Sequence, residues 1–250
     1  MPSYPLRALV LRKTKLGEAD LIVTLLAADG HQVRAVAKGA RKTKSRFGAR
    51  VEPFSVTDLL LHTGRNLEVI AEAETVSSHE ALRHDYDRMA AAGVVVDLLD
   101  KISVEGQGEP LLFDMSNVTL DVLETAPLDA LPLVVAAFLL KALAMHGYRP
   151  SLDECACCAG DTSDATLFSP RTGGCLCAGC SHEDPTALRM SPDARAVMRA
   201  LLRSRMAEVE TLGVDDTLRA EVLRLVVAYV GHHVPARLKA LDMYAKDVTR

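Results

Sequence analysis

Two pairs of cysteines constrain the fold of this chain more than any other feature. Cys155 and Cys158 form one C-x-x-C pair, and Cys177 and Cys180 form a second. Eighteen residues, 159–176, separate the pairs, a spacing typical of zinc ribbons. A two-residue spacing lets one tight turn direct both thiolates at one metal, and two such turns complete a tetrahedral set. The spacing predicts one zinc ion in a closed shell of four thiolates, which is a structural and not a catalytic site.

Other assignments of the cysteines stay open. Free buried thiols and disulfides are the alternatives to a metal site, although thiols stay reduced in the cytoplasm. Cys157 or Cys175 could replace a neighbouring ligand because spacings of up to four residues are tolerated, but only the chosen four give two matching turns. His182 is a weaker substitute ligand, and we interpret it as a surface histidine.

The segment around the cysteines, residues 151–190, reads as a separate small module. It loses the helical periodicity of its surroundings and contains all six cysteines. It also carries six Asp/Glu against only Arg171 and Arg189, so it would repel a phosphate backbone. We therefore expect the metal to stabilise a segment that is too small to bury its own core. We also expect that a partner bound by the surface of this module would be a protein.

Charge is divided unevenly along the chain. The formal net charge is −4, which argues against a histone-like polycation or an acidic tail protein, and 49% hydrophobic residues argue against disorder. Residues 1–80 carry twelve Lys/Arg and nine Asp/Glu, whereas residues 81–250 carry seventeen and twenty-four. This asymmetry predicts a basic working surface on the first part of the chain.

The strongest charge feature is a basic connection within residues 31–51, which contain no acidic residue. A flexible cationic loop can follow a phosphate backbone without a fixed register. Aromatic residues are only 4% of the chain, so we expect sparse base stacking and binding that weakens steeply with salt. A solvated loop without a ligand is the alternative. The predicted nucleic-acid-binding residues are Arg34, Lys38, Arg41, Lys42, Lys44, Arg46, Phe47 and Arg50.

The pattern of apolar residues predicts an α+β chain. Short apolar and β-branched runs at residues 6–12, 21–26, 31–37, 54–61 and 67–76 indicate five strands, and the OB-fold is the common five-stranded barrel. The domains expected are an OB-fold at 1–78, a helical domain at 79–150 plus 191–250, and the zinc-ribbon-like module at 151–190.

Helical signals begin after the last predicted strand. Ser77 and Glu80 have capping-box spacing, and Ser191, Pro192 and Asp193 supply an N-cap and first turn for a helix running to about residue 205. Further helices are predicted at 111–123, 131–145 and 218–230. The apolar face expected after the capping box consists of Leu82, Met89, Val95, Leu98 and Leu99.

Catalytic and membrane signals are weak. Glu18 and Asp20 lack a partner for acid–base or metal chemistry, and His232 and His233 lack the i, i+4 partner of a helical zinc site. The sequence contains no P-loop, G-x-S-x-G or dinucleotide fingerprint, so we expect no enzyme. The charge-free stretch 130–140 is too short to span a membrane, and no secretory signal is visible, so a cytoplasmic location is expected.

Four short motifs of the first part and the cysteine pairs together resemble a known family, the bacterial DNA repair protein RecO. The motifs are Leu16-Gly17-Glu18-Ala19-Asp20, Val36-Ala37-Lys38-Gly39-Ala40-Arg41, Ser45-Arg46-Phe47-Gly48 and Glu52-Pro53-Phe54, followed by Leu152-Asp153 and Gly173-Gly174 beside the cysteines. Ala240 and Leu241 depart from this resemblance, since many relatives continue with Ser and Arg at these positions.

The resemblance implies a recombination mediator. Such a protein binds single- and double-stranded DNA, anneals complementary strands, and works with RecR to load RecA onto DNA covered by single-stranded DNA-binding protein. A nucleoid-associated place in the cytoplasm follows. Two other classes stay open, a zinc-containing RNA-binding or assembly protein and a protein adaptor that binds no nucleic acid, because charge alone does not separate DNA from RNA.

Overall fold

The structure, a computed structural model, describes residues 2–43 and 45–248. The chain divides into two compact units, Met1–Glu124 and Thr125–Arg250. The barrel and the first three helices lie in the first unit, and the cysteine module lies in the second with the remaining helices. The domain boundaries given by the sequence, at residues 78, 150 and 190, stay a prediction.

The first unit begins with a closed five-stranded barrel. Its strands are β1 (Ser3–Leu16), β2 (Asp20–Ala27), β3 (Gln32–Ala37), β4 (Val56–His62) and β5 (Glu68–Ser77). The strand order around the barrel is β1-β2-β3-β5-β4, with β3 and β5 parallel and the other pairs antiparallel. This is the OB-fold arrangement, so the predicted fold class is confirmed.

Alternating apolar side chains fill the barrel. On β2, Val23, Leu25 and Ala27 point into the core cluster, as a period of two requires when one face of a strand is buried. A register shift between Val10 and Arg12 accommodates the length of β1 as it pairs with both neighbours. The barrel interior is therefore a packed core.

Three helices complete the first unit: α1 (Ala81–His84), α2 (Tyr86–Ile102) and α3 (Pro110–Thr125). The Gln32 side-chain amide of β3 donates to the Asp100 carbonyl and the Ser103 hydroxyl, both at 3.2 Å, and so fixes the end of α2 on the barrel. Gly30 is required in the β2–β3 turn, because a Cβ there would lie 2.2 Å from the Glu109 carbonyl oxygen.

The predicted capping box at the start of these helices is wrong. Ser77 is the last residue of β5, and Glu80 precedes α1 without a side-chain cap. The effective signal is Asp85, which is extended (φ −122°, ψ 129°) and accepts from the Arg88 N–H at 3.0 Å. It breaks the helix and restarts it as α2. Of the expected apolar face, Leu82, Val95, Leu98 and Leu99 are buried, whereas Met89 is 41% exposed.

The second unit is built around α4 (Leu131–Met145), with α5 (Pro192–Arg203), α6 (Asp216–His233) and α7 (Lys239–Val248). The bounds of α4 match the prediction, and most of its residues are buried. By length and apolarity the window Leu128–Met145 could cross a membrane, but 72% of it is buried, which fits a core helix.

One of the helix predictions for the second unit is confirmed, and one helix of this unit was not predicted. Ser191 caps α5 as predicted, since its hydroxyl accepts from the Ala194 N–H at 3.1 Å. The sequence did not predict α7, which carries both residues that depart from the family pattern. Leu241 is 3% exposed there, so its apolar side chain lies in the core of the unit.

The cysteine module contains a small sheet of three short strands. They are β6 (Leu167–Ser169), β7 (Gly174–Leu176) and β8 (Leu188–Arg189), in the order β7-β6-β8. The Phe168 ring of β6 is fully buried and lies 5.5 Å from the Tyr229 ring of α6, centroid to centroid. An apolar contact thus joins the module to the helices of its own unit.

Candidate nucleic-acid interface and metal centre

The base of the basic connection is fixed to the turn between β1 and β2. The Arg41 guanidinium donates to the carbonyl oxygens of Gly17 at 3.2 Å and Glu18 at 2.9 Å, and its backbone N–H donates to Ala19 at 2.9 Å. The Asp20 carboxylate accepts from the Gly39 N–H at 2.7 Å. OB-folds bind oligonucleotides on the β2–β3 face and the β1–β2 loop, and this anchoring keeps the connection beside that loop.

The remaining described cations of the connection have no acidic partner. Lys38, Lys42, Arg46 and Arg50 are exposed, as is Arg34 on β3. Within residues 2–43 and 45–248, none of these five forms an ion pair with a carboxylate. The eighth predicted binding residue, Lys44, lies outside the described residues.

Two other cations of the same barrel are paired. Arg7 of β1 lies 2.8 Å from the Asp58 carboxylate of β4, and Lys13 lies 2.5 Å from Glu52. The connection therefore concentrates positive charge that no carboxylate compensates, whereas Arg7 and Lys13 on β1 are neutralised locally. Such a surface attracts a polyanion, and the attraction is screened by salt.

Phe47 does not have the position predicted for it. The ring is 2% exposed and belongs to the core cluster of the barrel. This position does not support Phe47 as a nucleic-acid-binding residue, because the ring is inside the barrel and presents no face to a base. The Arg46 guanidinium lies over this ring, 5.1 Å from its centroid, so the ring supports the position of a cation.

The four predicted ligands lie together in the cysteine module. The Sγ atoms of Cys155, Cys158, Cys177 and Cys180 all lie within 4.8 Å of one another. Zinc–sulfur bonds of about 2.3 Å in a tetrahedron place sulfur atoms about 3.8 Å apart. The Sγ atoms of Cys158 and Cys177 are 3.8 Å apart. The group could hold a metal ion, and its spacing suits zinc.

Local backbone structure directs the thiols. In the first pair, the Ala159 N–H donates to the Cys155 carbonyl at 2.8 Å, and Ala159 has a positive φ of 55°. In the second pair, the Cys180 N–H donates to the Cys177 carbonyl at 3.1 Å. Both pairs are therefore tight turns, which is the geometry that a C-x-x-C spacing favours.

The two turns are fixed to each other through β7. The Ser151 N–H donates to the Gly173 carbonyl at 2.9 Å, and the Cys175 N–H donates back to the Ser151 carbonyl at 2.8 Å. The Ala156 N–H also donates to the Cys175 carbonyl at 2.9 Å. Gly174 is needed for this approach, because a Cβ there would lie 2.2 Å from the Ser151 oxygen.

The thiols of the cluster differ in how readily they release a proton. Burial acts to raise the pKa of Cys155, but backbone N–H groups of Cys177, Cys158 and Cys157 outweigh it and hold that pKa at about 6. Side-chain hydrogen bonds with Cys158 and Cys177 raise the pKa of Cys180. Thiolate is the form that binds metals, so the cluster holds protons that a bound cation would displace.

The other candidate ligands lie apart from this group. Cys175 is fully buried on β7, and burial raises its pKa to about 11, which keeps the thiol neutral. Cys157 is exposed, and His182 is exposed beside Glu183. Within the described ranges, none of these three side chains joins the four clustered thiols.

Two family models match the chain. The model described as "Recombination protein O N terminal" covers residues 1–79, and "Recombination protein O C terminal" covers residues 83–242. A curated relative from Nocardioides sp. is 39% identical over 246 residues, which are 95% of this chain and 97% of the relative. One from Cutibacterium acnes is 36% identical over 248 residues, 97% of this chain and 99% of the relative. Both relatives are called "DNA repair protein RecO".

Proposed function

This chain belongs to the recombination protein O family, and from that premise we propose that it is a recombination mediator in DNA repair. It binds single- and double-stranded DNA through the barrel and the basic connection, and it anneals complementary strands. The family membership supports the repair role. The observation that carries the binding surface is the set of unpaired cations on the connection between β3 and β4.

Annealing follows from the kind of contact these cations make. Two complementary strands repel each other because each carries dense phosphate charge, and a cationic loop lowers this repulsion. Phosphate contacts position a strand without reading its bases, so the protein accepts any pair of complementary sequences. With Phe47 buried, electrostatic contacts carry this binding. We expect annealing to need neither nucleotide hydrolysis nor catalytic residues.

Zinc has a structural role in this proposal. Cys155, Cys158, Cys177 and Cys180 would hold one ion and fill its four positions, leaving none for water or substrate. The ion would cross-link two turns of a module whose sheet strands are only two or three residues long. The module carries six acidic residues against two arginines, so loss of a cysteine ligand should affect DNA binding indirectly, through the fold of the module.

Partners are proposed from the family. We expect the protein to work at the nucleoid in the cytoplasm. Its DNA substrate would be covered by single-stranded DNA-binding protein, and the chain would contact the C-terminal tail of that protein. Together with RecR, it would promote the loading of RecA. No membrane takes part.

The test is a salt titration with labelled single-stranded DNA. The variant Lys38→Gln/Lys42→Gln/Arg46→Gln removes three unpaired cations, and each phosphate contact contributes about 0.7 to the slope of log affinity against log salt. The magnitude of the slope should fall by about 2. Between 50 and 200 mM salt, the variant should therefore lose affinity by a factor roughly 20 times smaller than the factor lost by the wild type. The loss should be similar for different base sequences.

The matched control is Arg7→Gln/Asp58→Asn, which removes a paired cation together with its carboxylate and leaves the net charge unchanged. Its slope should equal that of the wild type. An unchanged slope in the triple variant, with the fold intact by circular dichroism, would show that DNA binds elsewhere. Preference for a matched RNA would favour the RNA-binding alternative, and no salt-dependent affinity at all would favour the protein adaptor.

A further inference from the structure

A cavity with an aromatic wall lies in the second unit, beside the first cysteine turn. Its volume is about 390 Å³, within the range of pockets that hold small planar ligands. The lining includes residues that follow α4, residues of the cysteine module and the last turns of α6. Those used below are Tyr148, Arg149, Glu154, Thr172, Tyr229 and His233.

Three rings form the wall. The Tyr148 and His233 rings are 4.8 Å apart between centroids and inclined by 33°, and the His233 and Tyr229 rings are 4.3 Å apart. Tyr229 is 1% exposed, and its hydroxyl donates to the Tyr148 carbonyl at 3.4 Å, which ties the rings together. Tyr148 is 45% exposed. One side of its ring is supported by His233, and the remainder is open to a ligand.

Among the described residues, two polar atoms at this cavity are buried without a hydrogen-bond partner. They are the Thr172 hydroxyl oxygen and Nε2 of His233. The backbone of Pro170 acts on the His233 ring, and among the described residues Nε2 of that ring has no hydrogen-bond partner. Burial, followed by the neighbouring His232, lowers the pKa of His233, and the neutral ring offers Nε2 as an acceptor. Buried polar atoms normally have partners, so a ligand that donates one hydrogen bond fits here.

Charge at the rim fits a single phosphate. Arg149 is exposed and forms no ion pair with any carboxylate in the described part of the chain. Glu154 lines the same cavity, and the module around it is acidic, so a long phosphate backbone would not follow this surface. The cavity therefore suits a ligand that is mainly a flat ring with one adjoining anion.

We propose that this cavity binds one unpaired nucleobase of single-stranded nucleic acid. The base stacks on Tyr148, an N–H on its edge donates to Nε2 of His233, and Arg149 contacts the adjoining phosphate. Single-stranded bases are recognised by aromatic stacking together with hydrogen bonds to their edges. This inference rests on the proposed DNA-binding function for the choice of ligand, but it assigns the base contact to residues of the second unit and not to the basic connection.

The test uses the full, zinc-loaded chain and single-stranded DNA containing 2-aminopurine, whose fluorescence is quenched on stacking. Tyr148→Ala should abolish most of the quenching and weaken binding roughly 5- to 150-fold without changing the salt slope, since stacking is not electrostatic. Tyr148→Phe should restore both. Thr172→Val should weaken binding less. Tyr86→Ala removes a tyrosine that is 59% exposed on α2 and serves as the matched control, with no effect expected.

A second measurement needs no variant. Photo-crosslinking of the wild type to 5-iodouracil DNA, followed by peptide mapping, should label the peptide containing Tyr148 or His233. Deoxyadenosine monophosphate is added as a competitor. It should abolish the crosslink if the cavity binds free nucleotides, and it should leave the crosslink unchanged if the cavity binds a base only as part of a strand. Normal quenching and affinity in Tyr148→Ala, or crosslinks confined to the barrel, would overturn the inference and leave the proposed function standing. A wild type that binds no single-stranded DNA would overturn both.

Discussion

Replacing Phe47 by alanine should destabilise the barrel and leave the electrostatics of DNA binding unchanged. The ring is 2% exposed in the core cluster, together with Val51 and Leu59. A buried phenylalanine removes about 150–250 Å² from water, which at about 25 cal/mol per Å² corresponds to about 4–6 kcal/mol. Alanine retains part of this contribution, so we expect a loss of about 3–5 kcal/mol in the free energy of unfolding.

Urea unfolding of the barrel measures this loss. The chain contains no Trp, so far-UV circular dichroism and hydrogen exchange of the β2 and β3 amides are suitable observables. Phe47→Leu keeps most of the side-chain volume and should lose less than about 2 kcal/mol. In both variants the slope of log affinity against log salt should equal that of the wild type under conditions where the barrel is folded.

One combination of results would refute the reasoning. If Phe47→Ala left the barrel amides as protected as in the wild type and weakened DNA binding by a factor that does not depend on salt, the ring would be stacking on bases. The core position of Phe47 would then not describe the DNA-bound protein.

Two further predictions concern the cysteine module. Cys158→Ser should lower zinc below one ion per chain by elemental analysis, whereas Cys157→Ser should retain one; equal zinc in both would exclude the assigned ligands. The Ser169 and Thr186 hydroxyls hold the pKa of buried Asp184 at about 2, so its stabilising effect is present above about pH 4 and lost as the pH falls toward 2. Asp184→Asn should reduce the free energy of unfolding by about 1–3 kcal/mol at pH 7, a difference that shrinks below pH 4, and a pH-independent difference would contradict this.

The sequence predicted the parts of the strands that consist of apolar residues. It did not predict the parts in which charged residues predominate. β1 was expected to end near Arg12 but continues to Leu16, because its backbone still pairs with β2 while its side chains are charged. Lys13 pairs with Val23, and Lys15 pairs with Leu21. Hydrogen bonding between strands does not depend on side-chain polarity, so a hydropathy pattern underestimates such extensions.

The candidate sites divide in a similar way. The cysteine cluster could be predicted because its geometry is local, set by two tight turns with fixed spacing. The buried position of Phe47 could not be predicted. A single aromatic residue among cations forms no repeating apolar pattern, so the sequence does not indicate whether its side chain points into the core. The contact of Tyr148 with His233 joins residues far apart in the chain, and only the packing of the second unit brings them together.

The pairing of Ser151 with Gly173 and Cys175 bears on how the metal centre assembles. Cys155 and Cys177 are 22 positions apart in the chain, and closing a loop of that length costs about 3 kcal/mol in entropy. Backbone hydrogen bonds of the module already close this loop. These hydrogen bonds and a bound ion would therefore close the same loop, so the backbone shares the cost of loop closure with the metal. Metal exchange should then proceed as a local event at the turns, faster than unfolding of the second unit.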